Sequence, residues 1–141
     1  MTDIPPIILS AVVCDRVLFD APTKTSSLIS IRDTIVSPKY PLRYPQLFFF
    51  AELTNGHNDT PISVRLIDTS QDDKILIEKT ANLKFPDVKN IVSVAMGFEG
   101  LIFEHPGQYC FQILCGKEQL ASRRLICLLL KQPPKNNAQK N

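Results

Sequence analysis

The side chains able to do chemistry are few, and their spacing decides most of what they could do. His57 and His105 fall in turn-rich stretches, "TNGHNDTP" and "EHPG". No His-x-His or His-x-x-x-His spacing accompanies them, and a metal centre needs several converging ligands. They read as solvated turn histidines, and no metal is expected. Four cysteines stand at positions 14, 110, 115 and 127. Cys110 and Cys115 are five apart on an alternating stretch, so they face opposite sides of a strand. Cys14 precedes Asp15 but has no histidine near it in sequence, and a nucleophile needs a base and an orienting group beside it. G-x-S-x-G is absent. The glycines at 56, 97, 100, 107 and 116 are scattered singly, so none builds a phosphate-cradling loop. Asp68-Thr69-Ser70-Gln71-Asp72-Asp73 opens like a calcium loop but carries Asp73 where glycine is required and Lys79 where glutamate is. It reads as a carboxylate-rich hairpin turn. The expectation is a protein with no catalytic activity and no cofactor.

One set of residues could bind a small ligand or a carbohydrate. Tyr40 and Tyr44 with Arg43, beside the loop "NGHND", could supply the site, since such sites combine aromatic rings with polar groups. The lack of tryptophan weighs against this alternative.

The elements that must position these groups are strands. Helical periodicity is hard to find, whereas alternation and β-branched or aromatic clusters recur between turn residues. Strands are predicted at Ile7–Phe19, Ser27–Val36, Leu47–Thr54, Ile62–Asp68, Lys74–Thr80, Ile91–Phe98, Gln108–Cys115 and Glu118–Leu130. Punctuation this frequent points to a sandwich or barrel rather than βαβ units. In Val92, Val94, Met96 and Phe98 the large side chains share one face, which should point to the core. The odd spacing from Leu120 to Leu125 predicts a bulge if both point inward. Residues 1–131 read as a single domain, and "QPPKNNAQKN" at 132–141 as a disordered tail.

"EHPGQYCFQILCG" carries the most specific signal. A tyrosine entering a strand just after a corner is a mark of immunoglobulin-type sandwiches, where a disulfide cysteine follows two residues later. Here that position is Phe111, and Cys110 faces the other way. Tyr109 should fill the core edge and bond a nearby backbone group, without the antibody-type disulfide. The expected fold is an all-β, antiparallel β-sandwich of about eight strands, immunoglobulin-like in general architecture.

Sixteen basic and 14 acidic residues give a net charge of +2, too balanced for a nucleic-acid footprint. No apolar run approaches the length of a membrane helix, so neither nucleic acid nor membrane is expected as a partner. The run before Cys14 has no positive n-region, and Val13 is larger than a cleavage site uses. It reads as the first strand of a cytoplasmic protein, whose thiols stay reduced.

The order "IILSAVVCD", "SLISIRDTI", "YPQLFFFAELTNG", "ISVRLIDTSQDDKIL" and "HPGQYCFQILCGKEQLASRRL" resembles a family of short, mostly bacterial proteins of unassigned function. The resemblance covers roughly Ile8 to Leu130 and implies a β-sandwich in a bacterial cytoplasm. It implies no catalytic residues.

Two strands are apolar on both faces. Leu47, Phe49, Ala51 and Leu53 share one face of their strand, and Phe48 and Phe50 the other; "LICLLL" from Leu125 behaves alike. An antiparallel sandwich strand should have one wet face. The second cover is either the chain's own "SPKYPLRYP" loop or another protein chain. Phe48, Phe50, Ile126 and Leu128 are therefore the expected interface, for a protein partner or for a homodimer. The expected role is a protein-interaction or assembly module.

Overall fold

The computed structural model describes residues 4–131, so the expected tail at 132–141 lies outside the described residues. Nine strands are described: β1 (Ile7–Asp20), β2 (Thr25–Ile31), β3 (Thr34–Ser37), β4 (Leu42–Thr54), β5 (Asn58–Asp68), β6 (Lys74–Phe85), β7 (Val92–Phe103), β8 (Gly107–Cys115) and β9 (Glu118–Leu129). They form two sheets, in the orders β2-β1-β4-β7 and β3-β9-β8-β5-β6. The architecture is a β-sandwich of immunoglobulin-like form, as the turn spacing predicts.

Alternation decides which side chains fill the space between the sheets. Leu47, Phe49, Ala51 and Leu53 of β4 are fully buried, as are Tyr109, Phe111 and Ile113 of β8. Phe98 of β7 joins them, and Met96 beside it is nearly covered. The odd spacing from Leu120 to Leu125 does mark a bulge, at Leu120 itself: Ile113 faces Ala121, while Leu114 faces Gln119, which leaves Leu120 as the extra residue, and the ladder from Ala121 to Leu125 is regular.

Three expectations need correction. The stretch Ser27–Val36 is two strands, not one. At Arg32-Asp33 the chain leaves the first sheet, where the Arg32 amide still donates to the Val13 carbonyl, and joins the second, where Asp33 accepts from the Ile126 amide. The sandwich is also not wholly antiparallel, because β3 runs parallel to β9, with Ile35 opposite Cys127 and Val36 opposite Leu128. Finally, "LRYP", Leu42 to Pro45, is not a free loop but the first part of β4.

Prolines do not stop β4 and β5 for a shared reason. Pro45 lies where β4 pairs with β7 alone, since β1 joins only from Phe48 onward. Pro61 lies where β5 pairs with β6 alone, since β8 joins only from Ser63 onward. In both places the strand is locally an edge, and a residue without an N–H is tolerated there.

Candidate functional site

The outer face of the second sheet, at its β3–β9 end, carries the best candidate. Leu125 and Cys127 of β9 point inward and are buried, so Ile126 and Leu128 must point outward. Their neighbours on parallel β3 are Thr34 and Val36. Val36 is 52% exposed, Leu128 47% and Ile126 36%. Gln108 of β8 lies opposite Ile126 and is exposed. The result is a small apolar centre on regular, paired backbone with polar side chains at its rim.

The other half of the predicted interface sits elsewhere. Phe48 and Phe50 point out of the first sheet, on the opposite side of the sandwich. Phe50 is buried, in a cleft made by Val12, Leu28, Glu52 and Ser93 of its own chain. Phe48 is half-buried and its ring lies against Gly97: a Cβ added there would stand 2.9 Å from Phe48 Cε2. The second cover for these two rings is therefore internal, and the four positions do not form one surface.

Tyr40, Arg43 and Tyr44 have partners on three different strands. The Tyr40 hydroxyl donates to the Leu128 carbonyl at 2.9 Å. Arg43 lies against Gly100 of β7. The Tyr44 hydroxyl donates to Asp15 Oδ1 at 2.7 Å, and Arg32 holds the same carboxylate at 2.9 Å. Burial pushes both phenols up to about 12. Burial opposes ionisation of Asp15, but Arg32 and Tyr44 together hold its carboxyl below the usual range. Tyr44 also borders an open cleft of about 440 Å³ with Asp15, Arg16, Ile29, Ser30 and Gln46.

A polar cluster at the β5–β8 corner escaped the sequence reading. Asp68 is not a solvated turn carboxylate; it is 2% exposed. It caps the 3-10 turn Thr69–Gln71 by accepting from the Ser70 amide, and it accepts the Ser70 hydroxyl at 2.7 Å. Nor is His105 a solvated turn histidine. Its Nε2 lies 2.7 Å from Asp68 Oδ2 and its Nδ1 2.7 Å from the Pro106 carbonyl. Both partners accept only, so the ring satisfies both as an imidazolium. The Pro106 carbonyl first, and then Asp68, raise the His105 pKa. Burial works against the Asp68 charge, yet Ser70 and His105 bonds outweigh it and keep the pKa low.

Tyr109 completes the corner. Its hydroxyl donates to the His105 carbonyl at 2.7 Å, which is the backbone bond the tyrosine was expected to make, and its ring stacks on the imidazole. Although serine, histidine and aspartate meet here, the Ser70 hydroxyl donates to Asp68 Oδ1 at 2.7 Å, and His105 Nε2, 3.5 Å from Ser70 Oγ, is engaged more closely by Asp68 Oδ2 at 2.7 Å. That arrangement holds a corner and does not activate a nucleophile. Among the described residues, no group of three or more His, Cys, Asp and Glu side chains could hold a metal ion, and no helix is long and apolar enough to cross a membrane.

Among curated proteins, none matches this sequence. A β-glucosidase from Listeria innocua, solved with isofagomine, is similar at a TM-score of 0.44 and 8% identity, over 70% of this chain and 15% of that one. This chain thus spans about 15% of the glucosidase. An immunoglobulin-like protein from Pseudomonas aeruginosa is similar at a TM-score of 0.43 and 14% identity, over 90% of this chain and 99% of that one. The model of one family matches residues 9–127, and the chain belongs to it: the family of unknown function DUF6941.

Proposed function

We propose that the chain is a non-catalytic protein-interaction module that docks a protein partner on the outer face of β3 and β9. The observation that supports this is the exposure of Val36, Ile126 and Leu128 side by side on rigid, paired strands. An apolar centre with a polar rim is the ordinary anatomy of a docking surface. Each of these side chains is already about half-buried, so burying the remainder gains only part of the roughly 1.5–3 kcal/mol of a fully exposed one, and the three supply the apolar centre of a larger contact.

The test is quantitative capture from cells of the source organism, comparing the wild type with Ile126→Glu/Leu128→Glu. A protein held by the wild type and lost by the folded double variant supports the reading. Equal capture by both removes it. A second reading, a small-ligand site, is favoured by the Tyr44 cleft alone. Stabilisation by a polar small molecule that is lost in Tyr44→Ala would favour it instead.

A further inference from the structure

Three carboxylates among the described residues are drawn in from the surface: Asp15, Glu52 and Asp68. Two of them face a cation. Arg32 holds Asp15 at 2.9 Å, and His105 Nε2 lies 2.7 Å from Asp68 Oδ2. Glu52 has no ion pair among the described residues. Its carboxylate accepts from the Ser10 hydroxyl, at 3.0 Å to Oε1. An ionised carboxylate offers about four acceptor sites, and taking one out of water is costly unless a cation or several donors face it. One hydroxyl fills only part of that capacity.

Register builds a site around it. On the outer face of the first sheet, Ser10 of β1 and Ser93 of β7 both stand opposite Glu52 of β4, so a hydroxyl flanks the carboxylate on each side. Two residues along β4 the row is Val12, Phe50 and Ala95, which is apolar. The β1–β2 hairpin supplies the far wall. Its ladder steps from Cys14–Ile31 to Arg16–Ile29, and Ser30 between them has φ +58°. Beyond that irregularity, Ser26 and Leu28 line a cleft of about 460 Å³ together with Ser10, Val12, Glu52 and Ser93. Lys24 also lines it, and makes no ion pair with Glu52.

From this half-buried carboxylate without a cation we infer that the cleft binds a small organic amine, its protonated ammonium against Glu52 and a short apolar stem along Val12 and Leu28. The donors and acceptors match. An ammonium has three donors and no acceptor. Glu52 supplies the opposite charge, and the oxygens of Ser10 and Ser93 on either side of it can accept as well. A charge-assisted bond of this kind is roughly twice as strong as a neutral one. Val12 and Leu28 are each half-buried, so a stem laid on them covers apolar surface that the hairpin leaves open. Few apolar walls with a small number of converging polar groups are the usual make-up of a small-molecule site.

This site lies on the opposite side of the sandwich from the β9 face and stands or falls separately. The experiment is a titration of the full chain with n-butylammonium chloride at constant ionic strength, followed by the backbone amide resonances of Ser10, Ser26, Glu52 and Ser93. Binding of so small a probe should be roughly millimolar. The wild type should show saturable shifts at these four amides. Glu52→Gln keeps an acceptor for the Ser10 hydroxyl and removes the charge, so it should weaken binding by about tenfold or more. Resonances outside the cleft check that this variant folds. 1-Butanol carries the same stem without the charge and should be weaker on the wild type by a similar factor, a comparison that needs no variant. No saturable shift in the wild type overturns the inference. So do shifts scattered away from the cleft, equal binding by Glu52→Gln, or equal binding of the alcohol. Ile126→Glu/Leu128→Glu should bind the amine like the wild type, which separates this site from partner docking.

Discussion

Phe49 and Phe111 face each other across the two sheets with ring centroids 5.8 Å apart, and Phe98 adds a third ring 5.5 Å from Phe111. Phe111 stands two residues after the corner tyrosine, where antibody domains place the cysteine that bridges the sheets. In this chain three aromatic rings fill the space that a covalent bond spans elsewhere. Since Phe111 is fully buried, Phe111→Ala should lower the unfolding free energy by about 3–5 kcal/mol. Urea denaturation followed by tyrosine fluorescence measures it. A loss below about 1 kcal/mol would mean that the core closes around the gap and that the ring cluster is dispensable.

The Tyr109 hydroxyl serves both backbone groups of His105, donating to the carbonyl at 2.7 Å and accepting from the amide at 3.4 Å. Tyr109→Phe keeps the ring and removes both bonds. The expected cost is about 1–2 kcal/mol, near that of a partly buried polar group left unpaired. Thermal unfolding compared with the wild type reads this directly, and an unchanged midpoint would assign the corner to packing alone.

The His105–Asp68 pair gives stability a dependence on pH at both ends. His105 has a raised pKa in the fold, so its contribution is full below the unfolded value of about 6.5 and is lost as pH rises through the folded value. Asp68 has a lowered pKa, so its contribution is full above about 3.9 and is lost as pH falls through the folded value. Unfolding free energy should therefore be highest between these limits. In His105→Gln the alkaline decline should flatten. A wild-type profile that is level from pH 6 to 8, as an approximate working window, would contradict the imidazolium assignment.

Charge on the two apolar faces should have opposite consequences. Leu128 is 47% exposed and Phe50 only 7%. Leu128→Glu should stay within about 0.5 kcal/mol of the wild type, as exposed positions do. Phe50→Glu places a carboxylate where the native ring is almost wholly covered and should lose several kcal/mol, roughly 3 or more. Chemical denaturation of both variants makes the comparison, and equal stability would show that the Phe50 cleft is open in solution.

The buried thiols should be inert. Burial pushes the Cys127 thiol up to about 11, and Cys14, also fully buried, is shifted in the same direction. Thiolate is the reactive form. Labelling with a thiol reagent at neutral pH should leave both unmodified until denaturant is added, and rapid labelling of the native chain would show that the sheets part.

The parts of this fold that sequence revealed are those set by a period of two. The inward series on β4, β7 and β8 follows from alternation, and the bulge at Leu120 follows from one odd spacing. What stayed hidden depends on residues far apart. The switch at Arg32-Asp33 is hard to see because β-branched residues flank it directly, Ile31 before and Thr34-Ile35-Val36 after, and only the pairing with Val13 and Ile126 separates the two strands. Asp68 and His105 lie 37 residues apart, each inside a polar turn, and polarity alone reads as solvation. Phe50 looked like a surface because its face of β4 turns polar at Glu52, yet β1 and β2 fold over it.

The parallel ladder between β3 and β9 sets a condition on the order of events as the chain is made. Residues 34–37 find their neighbours only at 126–129, nearly the whole domain later. A ribosome releases the chain from its N-terminus, so β3 and the buried Ile35 wait until almost everything else has emerged. Pairings this distant in sequence form late and slow the approach to the native state. Until β9 arrives, the nascent chain carries a second sheet with its closing strand missing.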